Sequence, residues 1–321
     1  MKMSRRFSLC CFLIVCMCFA IFSSTSCRKD PLKGRSNCLG VVLKENTSPL
    51  FAEIEQGIRK EAETRGVEVI ILSPDGRDPE EQTPLLEKVI EMKVSAILFA
   101  PETDKSCIPV LIRAHSLAIP LILIDTDIDR KALGNEQCIT CIVGCDNKMG
   151  GMLAGNFLGK RLKGQGTVAI IEGINDRSSE ETRKEGFYES LRNYPGIKNV
   201  NAPQGGFQKV KAYRAFNELK KKNPDIKGIF ATNDLMAIGV SDANKANNGE
   251  KLYIVGYNAT KEGLEALKEG RIDATVNQFP LQIGKTAVDT ALKALKKEKL
   301  PPSILFTPEL ITKEKLLMPF N

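Results

Sequence analysis

From residue 39 onward the chain alternates between two hydrophobic rhythms. Short apolar runs of four to six residues read as buried strands, and stretches with apolar side chains at every third or fourth position read as helices. Leu39–Leu43 is a run of the first kind. Phe51–Arg65 is of the second, with Ile54, Ile58 and Ala62 on one face and Gly66 as its stop. The alternation continues through strand Val67–Leu72, helix Pro79–Lys93, strand Ala96–Ala100, helix Cys107–Ala118 and strand Leu121–Asp125. A polar, glycine-bearing stretch, Asp127–Cys138, interrupts it. It resumes with a strand within Ile139–Cys145 and a helix Lys148–Leu162 behind the capping pair Asp146-Asn147. Strands Val168–Glu172, Ile229–Ala231, Tyr253–Gly256 and Ala274–Gln278 follow. Helices Ser179–Asn193, Val210–Lys222, Leu235–Lys245, Glu262–Glu269 and Gln282–Lys296 are interleaved with them. Strand-helix alternation of this kind predicts an α/β fold of two doubly wound, parallel-sheet units in series.

In such sheets ligands bind beyond the carboxyl ends of the strands. The predicted strands end in Lys44–Phe51, Asp125-Thr126, Gly173–Glu181, Asn233-Asp234, Tyr257-Asn258 and Gln278. A polar or aromatic group follows nearly every strand, as a crevice between two units requires.

The first 27 residues break the rhythm. Basic residues Lys2, Arg5 and Arg6 precede an apolar run of 14 residues, Leu9–Phe22, then Ser23–Ser26 and Cys27. The run is short for a membrane span of about 20 residues, and the order is that of a secretion signal. Ser24-Thr25-Ser26-Cys27 resembles a bacterial lipobox, although an aliphatic residue usually stands where Ser24 does. Two outcomes stay open: a diacyl anchor on Cys27, or ordinary cleavage near Ser26. Residues 1–26 are therefore read as signal and 27–37 as tether. The expected location is the periplasm or cell envelope, with the membrane reached only through Cys27.

Composition removes other classes. The 321 residues are 42% hydrophobic and 26% charged, an ordinary globular balance. The net charge of +7 falls to +4 without Lys2, Arg5 and Arg6, and the rest is spread along the chain. That spread describes solvated helix faces, not a nucleic-acid footprint. Cys138, Cys141 and Cys145 invite a metal reading, but on a strand Cys138 points opposite to the other two, and no histidine lies nearby. We expect buried small hydrophobes, with one disulfide left open. His115, the single histidine, lies mid-helix and is expected at the surface. No nucleophile-histidine set or P-loop is available, so no enzyme, cofactor or metal is expected; an Asp125–Glu181 acid-base pair is the one arrangement that would say otherwise.

Several motifs in order resemble one family. They are Pro49-Leu50-Phe51 with Gly57, Ile119-Pro120-Leu121-Ile122 ending at Asp125, and Asp146-Asn147 with Gly150-Gly151. Arg183 with Gly186-Phe187, Phe230-Ala231-Thr232-Asn233-Asp234, Val255-Gly256-Tyr257, and Ala274-Thr275-Val276 with Gln278 complete the set. From Leu39 to Lys315 the chain is similar to the ribose-binding branch of periplasmic sugar-binding proteins, the type I solute-binding proteins of ABC importers. The resemblance implies two lobes, 38–145 with 279–307 and 146–278 with 308–321. Three crossings would join them as a hinge, near Cys145-Asp146, Gln278-Phe279 and Thr307-Pro308. It also implies a sugar-like ligand, an importer permease as partner and a monomer.

For the pocket, the resemblance implies stacking of the sugar by Phe51 and Phe207, hydroxyl contacts from Asp125, Asn233 and Gln278, and Tyr257 as an aromatic behind the sugar. Thr126 and Glu181 stand where the ribose pattern has arginines. Asn258 replaces an aspartate, Lys44 a small hydroxyl residue, Ser48 an asparagine and Leu50 a phenylalanine. The altered charge balance implies a sugar, polyol or amino sugar other than ribose. Delivery to an importer is the leading expectation, and partnership with a membrane signalling protein is the alternative.

Overall fold

The computed structural model describes residues 37–317 apart from 76–78, 103–105, 129, 134–136 and 175–177. The signal, most of the tether, Cys27 and residues 318–321 lie outside the described residues.

The first sheet is built from β1 (Cys38–Val42), β2 (Glu68–Leu72), β3 (Ala96–Phe99), β4 (Leu121–Ile124), β5 (Cys141–Cys145) and, from far along the chain, β11 (Ser303–Phe306). Its spatial order is β11-β5-β4-β3-β1-β2, and every pairing is parallel. β1, β3, β4 and β5 are buried along their whole length, which is why they read as unbroken apolar runs. Helices α1 (Pro49–Arg65), α2 (Gln82–Glu91), α3 (Ile108–Ser116) and α9 (Pro280–Leu295) cover the two faces. α1 and α9 approach closely because Gly57 carries no side chain: a Cβ there would overlap the Leu281 carbonyl oxygen.

The second sheet holds β6 (Gln165–Ile171), β7 (Gly196–Asn201), β8 (Ile226–Ala231), β9 (Tyr253–Asn258), β10 (Ala274–Asn277) and β12 (Glu309–Thr312). Its order is β12-β10-β9-β8-β6-β7. Helices α4 (Asn147–Arg161), α5 (Ser178–Leu191), α6 (Lys209–Lys222), α7 (Asp234–Ala246), α8 (Lys261–Lys268) and α10 (Lys313–Leu317) belong to this half. The sheet is not wholly parallel. β12 runs antiparallel to β10, because the chain leaves β11 and enters the second sheet directly, without a helix to turn it round.

The two sheets share the same winding, with the first strand of each half between the second and third. The chain crosses between them at Cys145-Asp146, between Asn277 and Pro280, and at Thr307-Pro308. The carboxyl ends of β1 and β4 in one lobe and of β6, β8 and β9 in the other supply the residues that face each other across the cleft.

All five described cysteines are buried, and no disulfide joins them. Cys141 and Cys145 pack into the cluster on one face of the first sheet and Cys138 into the cluster on the other, so the three thiols do not converge. His115 is exposed.

Candidate functional site

A cleft between the lobes is lined from the first lobe by Lys44, Glu45, Ser48, Leu50, Phe51 and Asp125. The second lobe contributes Ser179, Arg183, Phe207, Asn233 and Asn258.

Asp125 is the first residue past β4 and takes a left-handed backbone, φ 67°. Its N–H donates to the Val143 carbonyl at 2.9 Å, which fixes the bend. Strain of this kind at a strand end marks a site that the surrounding fold over-determines. Its Oδ2 accepts from Lys44 Nζ at 2.9 Å and from Thr126 Oγ1 at 2.9 Å. Lys44 also donates to Thr126 and lies 5.5 Å from the Phe51 ring centre. Burial pushes the Asp125 carboxyl up, but the Lys44 and Arg183 charges and the two hydrogen bonds outweigh it and hold the group below the ordinary range. Its Oδ1 is buried and finds no hydrogen-bond partner among the described residues.

Phe51 faces the cleft from α1, and Phe207 comes from the loop before α6, itself at φ 57°. Ser48 caps α1 by its backbone only; its hydroxyl makes no cap bond and borders the cleft. Asn233 reaches the cleft while also doing structural work. Its Oδ1 accepts from the Met236 N–H at 2.8 Å as the cap of α7, and its Nδ2 donates to the Phe207 carbonyl at 3.3 Å. Asn258, at φ 106°, accepts from Gln278 Nε2 at 2.6 Å. Gln278 is fully buried behind it, and its Oε1 is a second buried acceptor without a partner.

Four expected contacts do not line the cleft: Gln278, buried behind Asn258, and the three that follow. Glu181 is exposed on the outer face of α5, where Lys184 holds it at 2.8 Å, and it does not line the cleft. A helix turns by about 100° per residue, so Arg183, not Glu181, faces inward from this segment. Thr126 is buried and is not a wall of the cleft; its hydroxyl serves Lys44 and Asp125. Tyr257 is sealed from the cleft: its ring lies 4.0 Å beneath the Arg183 guanidinium and its hydroxyl donates to Asn147 Oδ1 at 3.2 Å.

Arg183, Glu180 and Asn147 form a network that was not expected in the pocket. Arg183 Nε donates to Asn147 Oδ1 at 2.8 Å, and its Nη1 donates to the Thr232 carbonyl at 3.1 Å and to Glu180 Oε1 at 3.3 Å. Glu180 Oε2 accepts from the Gly173 N–H and from Thr232 Oγ1, each at 2.7 Å. Burial pushes the Glu180 carboxyl up despite Arg183 and these donors. The network requires close packing of α4 on α5: a Cβ on Gly151 would overlap the Arg183 carbonyl oxygen. The signal was present in the sequence. Glu180, Arg183, Phe187 and Leu191 repeat at spacings of three and four, so the apolar stripe runs back into the charged pair.

Among the described residues, no group of three or more His, Cys, Asp or Glu side chains is placed to hold a metal ion. Cys145, beside the crossing into α4, has its thiol pushed up to about 12, foremost by burial. The arrangement is suited to binding: two rings, one unpartnered acceptor on Asp125 and two compensated charge pairs at one cleft.

The same two-lobed architecture is found in known proteins. Residues 39–299 match the family model for the periplasmic binding protein domain. The D-allose-binding periplasmic protein of Escherichia coli (strain K12) is 33% identical over 270 residues, 82% of this chain and 86% of that one. The ribose import binding protein of Bacillus subtilis (strain 168) is 28% identical over 300 residues, 90% of this chain and 95% of that one. The crystal structure of an ABC transporter periplasmic solute binding protein from Actinobacillus succinogenes with bound D-allose superposes with a TM-score of 0.83 at 30% identity, covering 87% of this chain and 98% of that one. With the family model spanning both lobes and these relatives aligned over most of their length, the chain belongs to the periplasmic binding protein family.

Proposed function

We propose that the protein captures a small hydroxylated solute, a sugar or polyol, in the cleft between its lobes and delivers it to an ABC importer, without turning it over. The observation that carries the reading is Asp125 Oδ1, a buried acceptor at the cleft that has no hydrogen-bond partner among the described residues. An unmet buried acceptor costs about 1–3 kcal/mol, and a hydroxyl donor removes that cost. Phe51 and Phe207 supply apolar faces for the C–H surface of a sugar ring. Lys44 already answers Asp125, and Glu181 lies outside the cleft, so the site favours the neutral members of this solute class over amino sugars.

The ligands for which the relatives are named, ribose and D-allose, support the same class. The family supports a location in the periplasm or cell envelope. A lipid anchor on Cys27 and a monomeric state complete the proposal. Mass spectrometry of the ligand released from protein purified from its natural host tests the reading. A neutral polyhydroxylated compound is expected, and loss of its uptake in a deletion strain. An amino acid, or a product formed from the ligand by the pure protein, would overturn the proposal.

A further inference from the structure

We infer that Glu180 sets the charge selectivity of the cleft: by compensating Arg183 from behind, it makes the site reject anionic solutes such as sugar acids. The inference rests on the reading of this cleft as the ligand site.

Among the described residues, Arg183 is one of two cations lining the cleft, and its side chain is 4% exposed. The other, Lys44, is answered within its own lobe by Asp125 at 2.9 Å. Arg183 is answered by Glu180, whose side chain is wholly buried and does not line the cleft. Three donors fix that carboxylate: the Gly173 N–H, the Thr232 hydroxyl and Arg183 itself. Glu180 therefore cannot swing away when a ligand arrives. Asn147 and the Thr232 carbonyl hold the guanidinium equally firmly, and Tyr257 supports its plane.

A guanidinium at a binding surface is the natural partner of a carboxylate, sulfate or phosphate. Here it keeps its hydrogen-bonding capacity but not its net charge, because a fixed carboxylate sits 3.3 Å away. An anionic ligand would bring a second negative charge toward Glu180 in a site of low dielectric, where like charges repel strongly. A neutral hydroxylated ligand brings no such charge. Specificity of this kind is built from the repulsive element as much as the attractive one. Glu180 is thus a positioning and selecting residue that acts through Arg183 and touches no ligand.

The test compares D-gluconate with a neutral panel of D-allose, D-glucose and D-glucitol by calorimetry, on the full chain. Wild type is expected to take a neutral solute and to bind D-gluconate at least tenfold more weakly. Glu180→Gln should gain tenfold or more in D-gluconate affinity, Glu180→Asp should keep the wild-type rejection, and Arg183→Met added to Glu180→Gln should erase the gain. A folded Glu180→Gln variant with no gain, or a gain that survives Arg183→Met, overturns the inference.

Should Glu180→Gln not fold, inorganic sulfate binding to wild type followed downward from pH 7 gives the same answer. Burial raises Glu180, while Asp125 stays ionised beside Lys44. Glu172, also near Glu180, is held at 3.0 Å by Lys184. Sulfate affinity should rise on acidification in wild type and not in Arg183→Met; equal behaviour of the two contradicts the inference. If wild type prefers D-gluconate to every neutral solute, the selectivity claim fails while the cleft remains the ligand site. If no solute binds wild type or any variant, the cleft reading fails and the inference with it.

Discussion

Lys44 Nζ lies 2.9 Å from Asp125 Oδ2, and both side chains are 4% exposed. The residues are 81 positions apart and come from loops after different strands of one sheet. Removing one member of a buried pair strands the other charge, at a cost of about 3–5 kcal/mol. Lys44→Met should therefore lower unfolding free energy by about that amount in denaturant titrations. Adding Asp125→Asn should restore much of the loss, since the pair is coupled. Equal, additive losses would show that the two side chains act independently.

Asp234 accepts from Thr275 Oγ1 at 2.6 Å and from the Thr260 N–H and hydroxyl at 2.8 and 3.0 Å, beneath the start of α8. Burial pushes its carboxyl up to about 7, against these donors, with the Glu53 charge adding to the rise. The folded state thus holds a proton that the unfolded chain has released above about pH 4. Its contribution is fully present below that point and is lost as pH rises to about 7. The melting temperature should be higher at pH 5 than at pH 8, and Asp234→Asn should flatten that dependence. Asp125, held low, titrates below this window and does not obscure it.

Gly151 lets α4 lie against the backbone of Arg183. Gly151→Ala should destabilise the protein by about 1–3 kcal/mol through overpacking, and should also weaken ligand binding because it displaces Arg183. Calorimetry on the folded variant separates the effects: unchanged affinity would mean that α5 moves without carrying its arginine.

No disulfide joins the described cysteines, and they are nearly inaccessible, from 0% exposed for Cys141 to 4% for Cys145. The raised Cys145 thiol is not a nucleophile near neutral pH. Ellman's reagent should find none of these five thiols in the native protein and all of them in denaturant. Rapid native reaction of any of the five would contradict the packing described.

Much of this architecture was legible in the sequence because buried parallel strands are written as unbroken apolar runs. β1, β3 and β4 were read to within a residue or two. The strands that escaped notice have no such mark. β7, Gly196–Asn201, is an exposed edge with alternating polar positions, and β11 and β12 are four-residue strands at the hinge-side edges of the two sheets. The site divides the same way. Residues at strand ends, such as Lys44, Asp125 and Asn258, could be located by counting. Residues on a helix depend on rotation, and a shift of two positions exchanged Arg183 for Glu181. Glu180 was hidden for a different reason: a fully buried acid looks, in sequence, like one more charge on a solvated helix.

The most direct test of the central claim is calorimetric titration of wild type and Asp125→Asn with neutral pentoses, hexoses and polyols. At least one neutral solute should bind wild type with one-to-one stoichiometry, and Asp125→Asn should weaken that binding by tenfold or more, since charge-assisted hydroxyl bonds are worth about 1.5–3 kcal/mol. Binding of a neutral solute that is indifferent to Asp125→Asn, or no binding by any of them, would contradict the account.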